Sequence, residues 1–90
     1  MRVVRATTTA GELFGHRVRE IRMKRGLTQQ AIANRADIPQ THVSDIELGF
    51  KLPNLLTVVR LANALECTVT DLTSVFDKMD LSSLVVTKAL

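Results

Sequence analysis

A serine, a histidine and an aspartate occur close together at Ser44, His42 and Asp45, and these are the residue types of a nucleophilic triad. A triad works only when its three side chains converge on one reacting atom. Here all three project from neighbouring positions of one short predicted helix, so they cannot converge. His42 and Asp45 could bind a metal ion, but the spacing supplies no third ligand. We therefore expect neither an enzyme nor a metal site, and no cofactor.

The single cysteine, Cys67, is the other residue with reactive potential. One cysteine cannot form a disulfide within the chain, and a reactive thiol needs basic surroundings that lower its pKa. The neighbouring sequence is not basic. We therefore interpret Cys67 as a small buried apolar residue.

Basic side chains are concentrated in the first two-thirds of the chain. Residues 1–60 hold ten Lys and Arg against five Asp and Glu, whereas residues 61–90 hold two against four. This asymmetry favours a polyanion-binding surface in the first part and a different role for the C-terminal end.

No segment approaches the roughly 18 apolar residues of a membrane span, and residues 1–10 lack the apolar run of a signal peptide. We expect a cytoplasmic protein with no membrane partner and no small-molecule ligand.

The composition favours packed helices in one domain. The chain has 90 residues, of which 46% are hydrophobic and only 3% aromatic, so Leu, Ile, Val and Ala must form the core. Turn residues divide the sequence into five predicted helices and two flanking segments. The helices cover residues 12–25, 29–36 and 40–48, a fourth after Asn54 with Leu55, Val58, Ala62 and Leu65 inward, and a short fifth capped by Thr70 with Leu72, Val75 and Phe76 inward. Residues 1–11 are predicted to form an N-terminal arm, residues 12–76 the domain, and residues 77–90 a C-terminal extension.

Residues 28–49 have the mechanical properties of a helix-turn-helix. Two short helices are joined by a turn of three or four residues, and small Ala33 lies where the helices should cross. Ile38, Val43 and Ile46 supply the apolar side beneath them. Small residues at the crossing let the two helices approach closely.

Over about residues 14–76 the chain resembles the phage repressor and Cro family, also called the XRE family. The resemblance implies an all-α, compact five-helix lambda-repressor-like DNA-binding domain in which helices 2 and 3 form the helix-turn-helix. The proteins that the chain resembles include small phage repressors and the controller proteins of restriction-modification systems. The matching positions are Arg22, Gly26, Leu27, Thr28, Gln29, Ala33, Ile38, Val43, Ser44, Ile46, Glu47, Gly49, Pro53, Val69, Thr70 and Leu72.

The resemblance assigns base contacts to the start of helix 3, which enters the major groove in this family. Gln40 can bond to adenine N6 and N7 together, and is the leading candidate base reader. Thr41, Ser44 and Asp45 share its outward face, where a Thr methyl could meet thymine and Asp45 could accept a hydrogen bond from cytosine N4. Asp45 would repel phosphate, so it should confer selectivity rather than affinity.

Backbone contacts are implied for a second set of residues. Gln29 begins helix 2, whose free N–H groups and dipole favour a phosphate. Lys51 follows helix 3 in a loop expected beside the DNA backbone. Arg22 and Glu47 match positions that form a partly buried ion pair between helices 1 and 3. The complete set of predicted backbone contacts is Gln29, Lys51, Arg17, Arg35 and Thr28, with Arg25 adding long-range attraction and Arg2 and Arg5 of the arm reaching further along the duplex.

Two positions depart from the family pattern. Asp37 stands at the turn position usually held by Gly, and Asp is among the few residues that tolerate a left-handed backbone conformation. Pro39 stands where many members have a Ser or Thr cap, so a capping bond is absent while φ is fixed suitably for a helix start. A shift of one residue there would exchange the roles of Gln40 and Thr41.

One helix in one groove makes few contacts, so binding as a homodimer to half-sites about 34 Å apart is expected. The resemblance places the interface on helix 5 and the segment that follows it. The predicted interface residues are Leu72, Val75, Phe76, Leu81, Leu84 and Val85, with Val86. The extension either exchanges between subunits as a helix or strand, or folds back on its own core, and both alternatives stay open.

The sequence thus predicts a nucleoid-associated transcriptional regulator that binds an inverted-repeat operator in double-stranded DNA. Two alternatives share its fold. One is an antitoxin-like DNA-binding protein whose main partner is a toxin. The other is a protein-interaction regulator, for which loss of salt-dependent DNA binding would be diagnostic.

Overall fold

The computed structural model describes residues 6–77, 79–85 and 87–89. Within these residues the chain forms five α-helices, two short 3-10 turns and one two-stranded sheet. The five predicted helices are confirmed, and the sheet is an addition to the all-α prediction. The elements are β1 Ala6–Thr8, α1 Thr9–Lys24, α2 Gln29–Ala36, α3 Gln40–Glu47, α4 Leu55–Leu65 and α5 Val69–Thr73, followed by 3-10 turns at Ser74–Phe76 and Leu81–Val85 and by β2 Thr87–Ala89.

The N-terminal segment is more ordered than an arm. The predicted arm of residues 1–11 is wrong from residue 6 onward, because Ala6–Thr8 pairs with Thr87–Ala89 in an antiparallel sheet. Helix α1 begins at Thr9, since the Thr8 side chain accepts a hydrogen bond from the Gly11 N–H at 2.9 Å and caps the helix. Arg2 and Arg5 lie outside the described residues.

Side-chain caps begin α2 and α4, and two glycines follow the ends of α1 and α3. Thr28 caps α2 through the Ala31 N–H at 3.0 Å, and Asn54 caps α4 through the Thr57 N–H at 2.9 Å. Gly26 and Gly49 both have positive φ, of 66° and 85°, just beyond the ends of α1 and α3. These are the conformations that a side chain disfavours, and they stop the helices.

The core is formed by aliphatic residues on the inner faces of all five helices. Val18, Ile21, Ile32, Val43, Ile46, Leu61 and Leu65 are all buried in it. The predicted inner face of α4 is wrong at one position, because Leu55 is exposed and the burial shifts to Thr57, Val58 and Leu61.

The contact between α1 and α3 depends on a glycine. A Cβ added at Gly15 would lie 2.0 Å from the Ile46 carbonyl oxygen and 2.9 Å from that of Glu47. The C-terminal turn of α3 therefore lies directly against the backbone of α1. This close approach holds α3 in one position relative to the rest of the domain.

Helix α5 begins two residues earlier than predicted. Thr68, rather than Thr70, is the N-cap, and it forms a capping box with Asp71 in which each side chain accepts a hydrogen bond from the other residue's backbone N–H, both at 2.9 Å. The hydrogen bond that the Asp71 carboxylate accepts from the Thr68 backbone N–H holds the pKa of Asp71 below its ordinary value. The short helix then continues as a 3-10 turn through Phe76.

The C-terminal extension folds back on its own chain. The turn at Leu81–Val85 contacts α1, and β2 then pairs with β1, with Thr8 opposite Thr87. Thus the described residues 81–85 and 87–89 pack against the rest of the chain. No helix among the described residues is long and apolar enough to cross a membrane.

Two residues predicted for a subunit interface are instead part of the core. Leu72 is the fully buried residue of α5, and Leu84 is buried where the extension returns to α1. Neither side chain can reach a second copy without unfolding the surface above it, so both assignments are corrected. Val75 and Phe76 are half-buried and Leu81 is exposed. The side chain of Val85, and Val86 entirely, lie outside what the structure describes.

Candidate nucleic-acid interface

The turn between α2 and α3 places Gln40 at the first helical position of α3. Asp37 adopts the predicted left-handed conformation, with φ 57° and ψ 48°, and the Ile38 N–H donates to the Ala33 carbonyl oxygen at 3.1 Å. Pro39 is the N-cap of α3 and makes no side-chain capping bond, as predicted. Its φ of −62° leads directly into the helix.

A continuous chain of polar side chains runs across the helix-turn-helix. Gln40 Nε2 donates to Gln29 Oε1 at 2.7 Å, which joins the first residues of α3 and α2. Gln29 Nε2 in turn donates to Glu47 Oε1 at 3.1 Å. Arg22 of α1 donates to both carboxylate oxygens of Glu47, from Nε at 2.7 Å and from Nη2 at 3.0 Å. The two glutamines are therefore anchored through Glu47 to α1.

The Arg22–Glu47 pair has the bidentate geometry that gives an ion pair strength and direction. The side chains are 14% and 3% exposed, respectively. Arg22 Nη1 also donates to the Leu27 carbonyl oxygen at 2.9 Å, which ties the pair to the end of α1. The hydrogen bonds with Glu47 raise the pKa of Arg22 above its ordinary value, so the guanidinium remains charged. A pair enclosed in this way positions its helices, whatever its net contribution to stability.

The other predicted base-contacting residues differ in their exposure. Thr41 is exposed next to Gln40, and Ser44 is half-buried one turn further along α3. Asp45 is also half-buried, and one of its carboxylate oxygens lies 3.6 Å from Lys51 Nζ. The structure thus brings Gln40, Thr41 and Ser44 to one side of α3, and directs the Asp45 carboxylate toward the loop after the helix.

The predicted backbone contacts separate into two groups. Gln29 and Thr28 lie at the start of α2, and Lys51, with a side chain 57% exposed, follows α3. Arg17 and Arg35 are bonded elsewhere. Arg17 Nε donates to the Asp71 carbonyl oxygen at 2.8 Å, and Arg17 also pairs with Glu20. Arg35 Nη1 donates to the Ala64 carbonyl oxygen at 3.3 Å, so these two arginines tie α1 to α5 and α2 to α4.

The surroundings of Cys67 differ from the sequence-based expectation. The thiol lies in a shallow depression lined by Arg17, Lys24, Arg25 and Asp71, so its neighbourhood is basic after all. Burial nevertheless raises the pKa of the Cys67 thiol above its ordinary value, with the Asp71 carboxylate contributing in the same direction. The thiol therefore remains protonated, and Cys67 packs against the core as a small apolar residue.

Sequence reasoning missed the contact between the two glutamines. A glutamine at the first position of both helices of the motif was the available sign, because α2 and α3 pack against each other. It also missed the close approach at Gly15. An isolated glycine inside a helical pattern suggests such a packing reason.

These features define a class of protein. A short helix, held against two others and presenting polar side chains at its N-terminus, is the reading element of a helix-turn-helix DNA-binding protein. The family model HTH_3, described as Helix-turn-helix, matches residues 18–72. The chain therefore belongs to this helix-turn-helix family, the XRE family of DNA-binding transcriptional regulators.

Individual relatives support the same family. Control protein C.BamHI of Bacillus amyloliquefaciens is 37% identical over 54 residues, which are 59% of this chain and 67% of that protein. HTH-type transcriptional regulator DdrOP3 of Deinococcus deserti is 43% identical over 56 residues, which are 62% of this chain and 43% of that protein. The crystal structure of the restriction-modification controller protein C.AhdI from Aeromonas hydrophila is similar with a TM-score of 0.68 at 31% identity, covering 69% of this chain and 94% of that one.

Proposed function

We propose that this protein is a sequence-specific transcriptional regulator that binds an inverted-repeat operator in double-stranded DNA as a homodimer. The N-terminal end of α3 enters the major groove in each half-site. The observation that carries the proposal is the chain of hydrogen bonds from Gln40 through Gln29 and Glu47 to Arg22. The similarity of this protein to the control protein C.BamHI and the controller protein C.AhdI supports a regulatory role of this kind.

The hydrogen bond between the glutamines is compatible with base reading by Gln40. The amide nitrogen carries two protons, and one of them is donated to Gln29. The second proton and Oε1 suffice for a bidentate contact, in which Oε1 accepts from adenine N6 and the N–H donates to adenine N7. Because Gln29 already holds the amide in place, less side-chain entropy is lost when the base is bound.

Gln29 has a second role at the helix end. Gln29 is the first residue of α2. At a helix start, backbone N–H groups and the positive end of the helix dipole attract a phosphate. Lys51 adds an exposed positive charge after α3. In this proposal Gln29 and Lys51 fix the protein on the duplex, while Gln40, Thr41 and Ser44 distinguish the bases. Asp45 contributes selectivity less directly, since Lys51 offsets part of its charge.

We expect Gln40→Ala to weaken binding to the selected operator by about 1–3 kcal/mol and to leave binding to random duplex unchanged, because only a base contact is lost. Gln29→Ala should weaken binding to both DNAs, since it removes the side-chain amide that we propose to reach a phosphate, as well as the support of Gln40. Fluorescence anisotropy with the two duplexes at one stated salt concentration measures both effects.

Gln30→Ala is the matched control for these variants. Gln30 is an exposed glutamine of α2 that hydrogen-bonds to Asn34 at 2.9 Å and takes no part in the chain from Gln40 to Arg22. Its loss should alter neither affinity. If Gln40→Ala weakened binding to operator and to random duplex alike, as Gln29→Ala is expected to do, the division between base reading and backbone contact would be refuted.

A further inference from the structure

The sheet that joins the two ends of the chain lies beside the start of α1. We refer to Ala6–Thr8 together with Thr87–Ala89 as the terminal sheet, in which Thr7 lies opposite Lys88. A strand of three residues is not stable alone, so the pairing with β2 is needed to hold β1 in place. The last residue of β1, Thr8, is also the N-cap of α1, so the strand leads into the helix without a loop.

Thr7 connects the terminal sheet to the first turn of α1. This residue is only 3% exposed, and its Oγ1 donates a hydrogen bond to Glu12 Oε1 at 2.8 Å. A hydrogen bond to a carboxylate is stronger than one between neutral groups, and it gains further strength when water is excluded. The half-buried Glu12 side chain is therefore restricted to one direction by the terminal sheet.

The first turn of α1 packs directly against Gly49, which follows α3. A Cβ added at Gly11 would lie 2.8 Å from the Gly49 carbonyl oxygen. A Cβ added at Gly49 would lie 3.1 Å from Glu12 Cγ and 3.2 Å from Glu12 Cα. Gly49 is buried and has a φ of 85°, so the chain changes direction here. The Glu12 side chain that Thr7 holds thus forms part of the surface against which this turn packs.

The turn at Gly49 leads into the segment that carries Lys51. The Phe50 N–H donates to the Asp45 carbonyl oxygen at 2.9 Å, which ties the start of the segment to α3. Lys51 follows immediately, has an exposed side chain, and is one of the backbone contacts of the proposed function. The direction in which Lys51 leaves the helix therefore depends on the position of Gly49, and so on the Glu12 side chain packed against it.

We propose that the terminal sheet positions Lys51 for its contact with the DNA backbone, and that Thr7 and Glu12 are the positioning residues through which it acts. This inference rests on the proposed function, because it explains how one of the backbone contacts in that proposal is held. Neither Thr7 nor Glu12 needs to touch DNA. The C-terminal strand contributes to DNA affinity in this way, although it is far from α3 along the chain.

A purely structural role for the buried threonine is the competing explanation. In that case, loss of the Thr7 hydroxyl lowers the stability of the protein, while the folded protein keeps its affinity for DNA. The charge of Glu12 separates the two explanations further. Removal of a negative charge favours binding to phosphates if charge alone matters, whereas a positioning role predicts weaker binding.

The test measures how binding to random duplex and to the selected operator depends on salt concentration. Thr7→Val keeps the β-branched shape and removes the hydroxyl, and Thr7→Ser keeps the hydroxyl. Glu12→Ala removes the acceptor of the same hydrogen bond. Lys51→Ala is made alone and in combination with Thr7→Val. Fluorescence anisotropy of the full chains gives each affinity, and circular dichroism at each salt concentration confirms that each variant is folded.

Thr73→Val is the matched control. Thr73 is a half-buried threonine of α5 whose Oγ1 donates to the Val69 carbonyl oxygen at 3.1 Å. The change removes a hydrogen-bonded hydroxyl of the same kind, away from the terminal sheet and from Gly49. It should leave DNA affinity as in the wild type.

We expect Thr7→Val and Glu12→Ala each to weaken binding to both DNAs about five- to tenfold at about 0.1 M salt. The slope of log K against log salt concentration should fall by about one per bound subunit, because one phosphate contact is lost. Lys51→Ala should have the same effects. Adding Thr7→Val to Lys51→Ala should weaken binding no further, since the contact through which Thr7 acts is already absent. Thr7→Ser should bind like the wild type.

Three results overturn the positioning role. One is wild-type affinity and slope for folded Thr7→Val, and another is tighter binding by Glu12→Ala. The third is a Lys51→Ala variant that keeps the wild-type slope, or in which Thr7→Val causes its full loss of affinity again. If Thr7→Val does not fold, Glu12→Ala with and without Lys51→Ala decides the question.

Binding to random duplex separates a failure of this inference from a failure of the proposed function, because it depends on backbone contacts and not on base reading. A protein that prefers its operator but shows no coupling between Thr7 and Lys51 overturns the positioning role and leaves base reading intact. Coupling between Thr7 and Lys51 in a protein with no sequence preference supports the positioning role and contradicts the proposed function.

Discussion

Gly15→Ala should lower the free energy of unfolding by about 3 kcal/mol, although alanine is a much better helix former than glycine. In an open helix interior the same change would stabilise the protein by about 1 kcal/mol. Here the new Cβ would lie 2.0 Å from the Ile46 carbonyl oxygen, so α1 and α3 must separate. That movement disturbs the packing of Ile46 and the ion pair between Arg22 and Glu47. Urea unfolding followed by circular dichroism measures the change.

Two further variants grade the effect. At Gly11 an added Cβ would lie 2.8 Å from the Gly49 carbonyl oxygen, so Gly11→Ala should destabilise the protein less than Gly15→Ala. His16→Ala changes an exposed residue of the same helix and should have little effect. Stability at or above that of the wild type for Gly15→Ala would show that α1 does not approach α3 as closely as described here.

Glu47→Ala should destabilise the protein by about 3–5 kcal/mol, because it leaves the enclosed guanidinium of Arg22 without its carboxylate. It also removes the acceptor for Gln29, which in turn holds Gln40. Operator affinity of the remaining folded protein should therefore fall together with stability. Unfolding in urea and anisotropy at a temperature where the variant is folded measure the two effects separately.

A double variant distinguishes the electrostatic role of the pair from its positioning role. Arg22→Met with Glu47→Leu replaces both charges by apolar side chains and should recover most of the lost stability, as such replacements often do. Operator affinity should not recover, since Gln29 still lacks its acceptor. Glu20→Ala breaks an ion pair with Arg17 that lies at the surface, and should change stability little. Recovery of operator binding in the double variant would show that Glu47 has no part in positioning the glutamines.

The local features of the fold could be predicted because each depends on a few adjacent residues. Thr28 and Asn54 are capping residues, and Gly26 and Gly49 have the positive φ that ends a helix. The periodic aliphatic positions were identified as core for the same reason. The predicted cap at Thr70 was wrong, since Thr68 and Asp71 together form a stronger cap than one threonine alone.

The tertiary features were predicted less well because they depend on contacts between distant residues. Leu55, Leu72 and Leu84 are all leucines at helical spacing, and nothing in the local sequence shows that Leu55 faces outward while the other two are enclosed. The pairing of residues 6–8 with residues 87–89 joins the two ends of the chain. At the site, Gln40 and Gln29 could each be identified from the motif, whereas their hydrogen bond depends on how α2 and α3 pack against each other.

Selection of bound sequences from a random duplex library, at a stated salt concentration, tests the central proposal most directly. The wild-type protein should recover an inverted repeat with half-site centres about 34 Å apart, as expected for one α3 in each of two successive major grooves on the same side of the duplex. Parallel selection with Gln40→Ala should lose the preference for adenine at one position of each half-site. Recovery of no motif by the folded wild-type protein would contradict the proposal and favour a partner protein as the target of this surface.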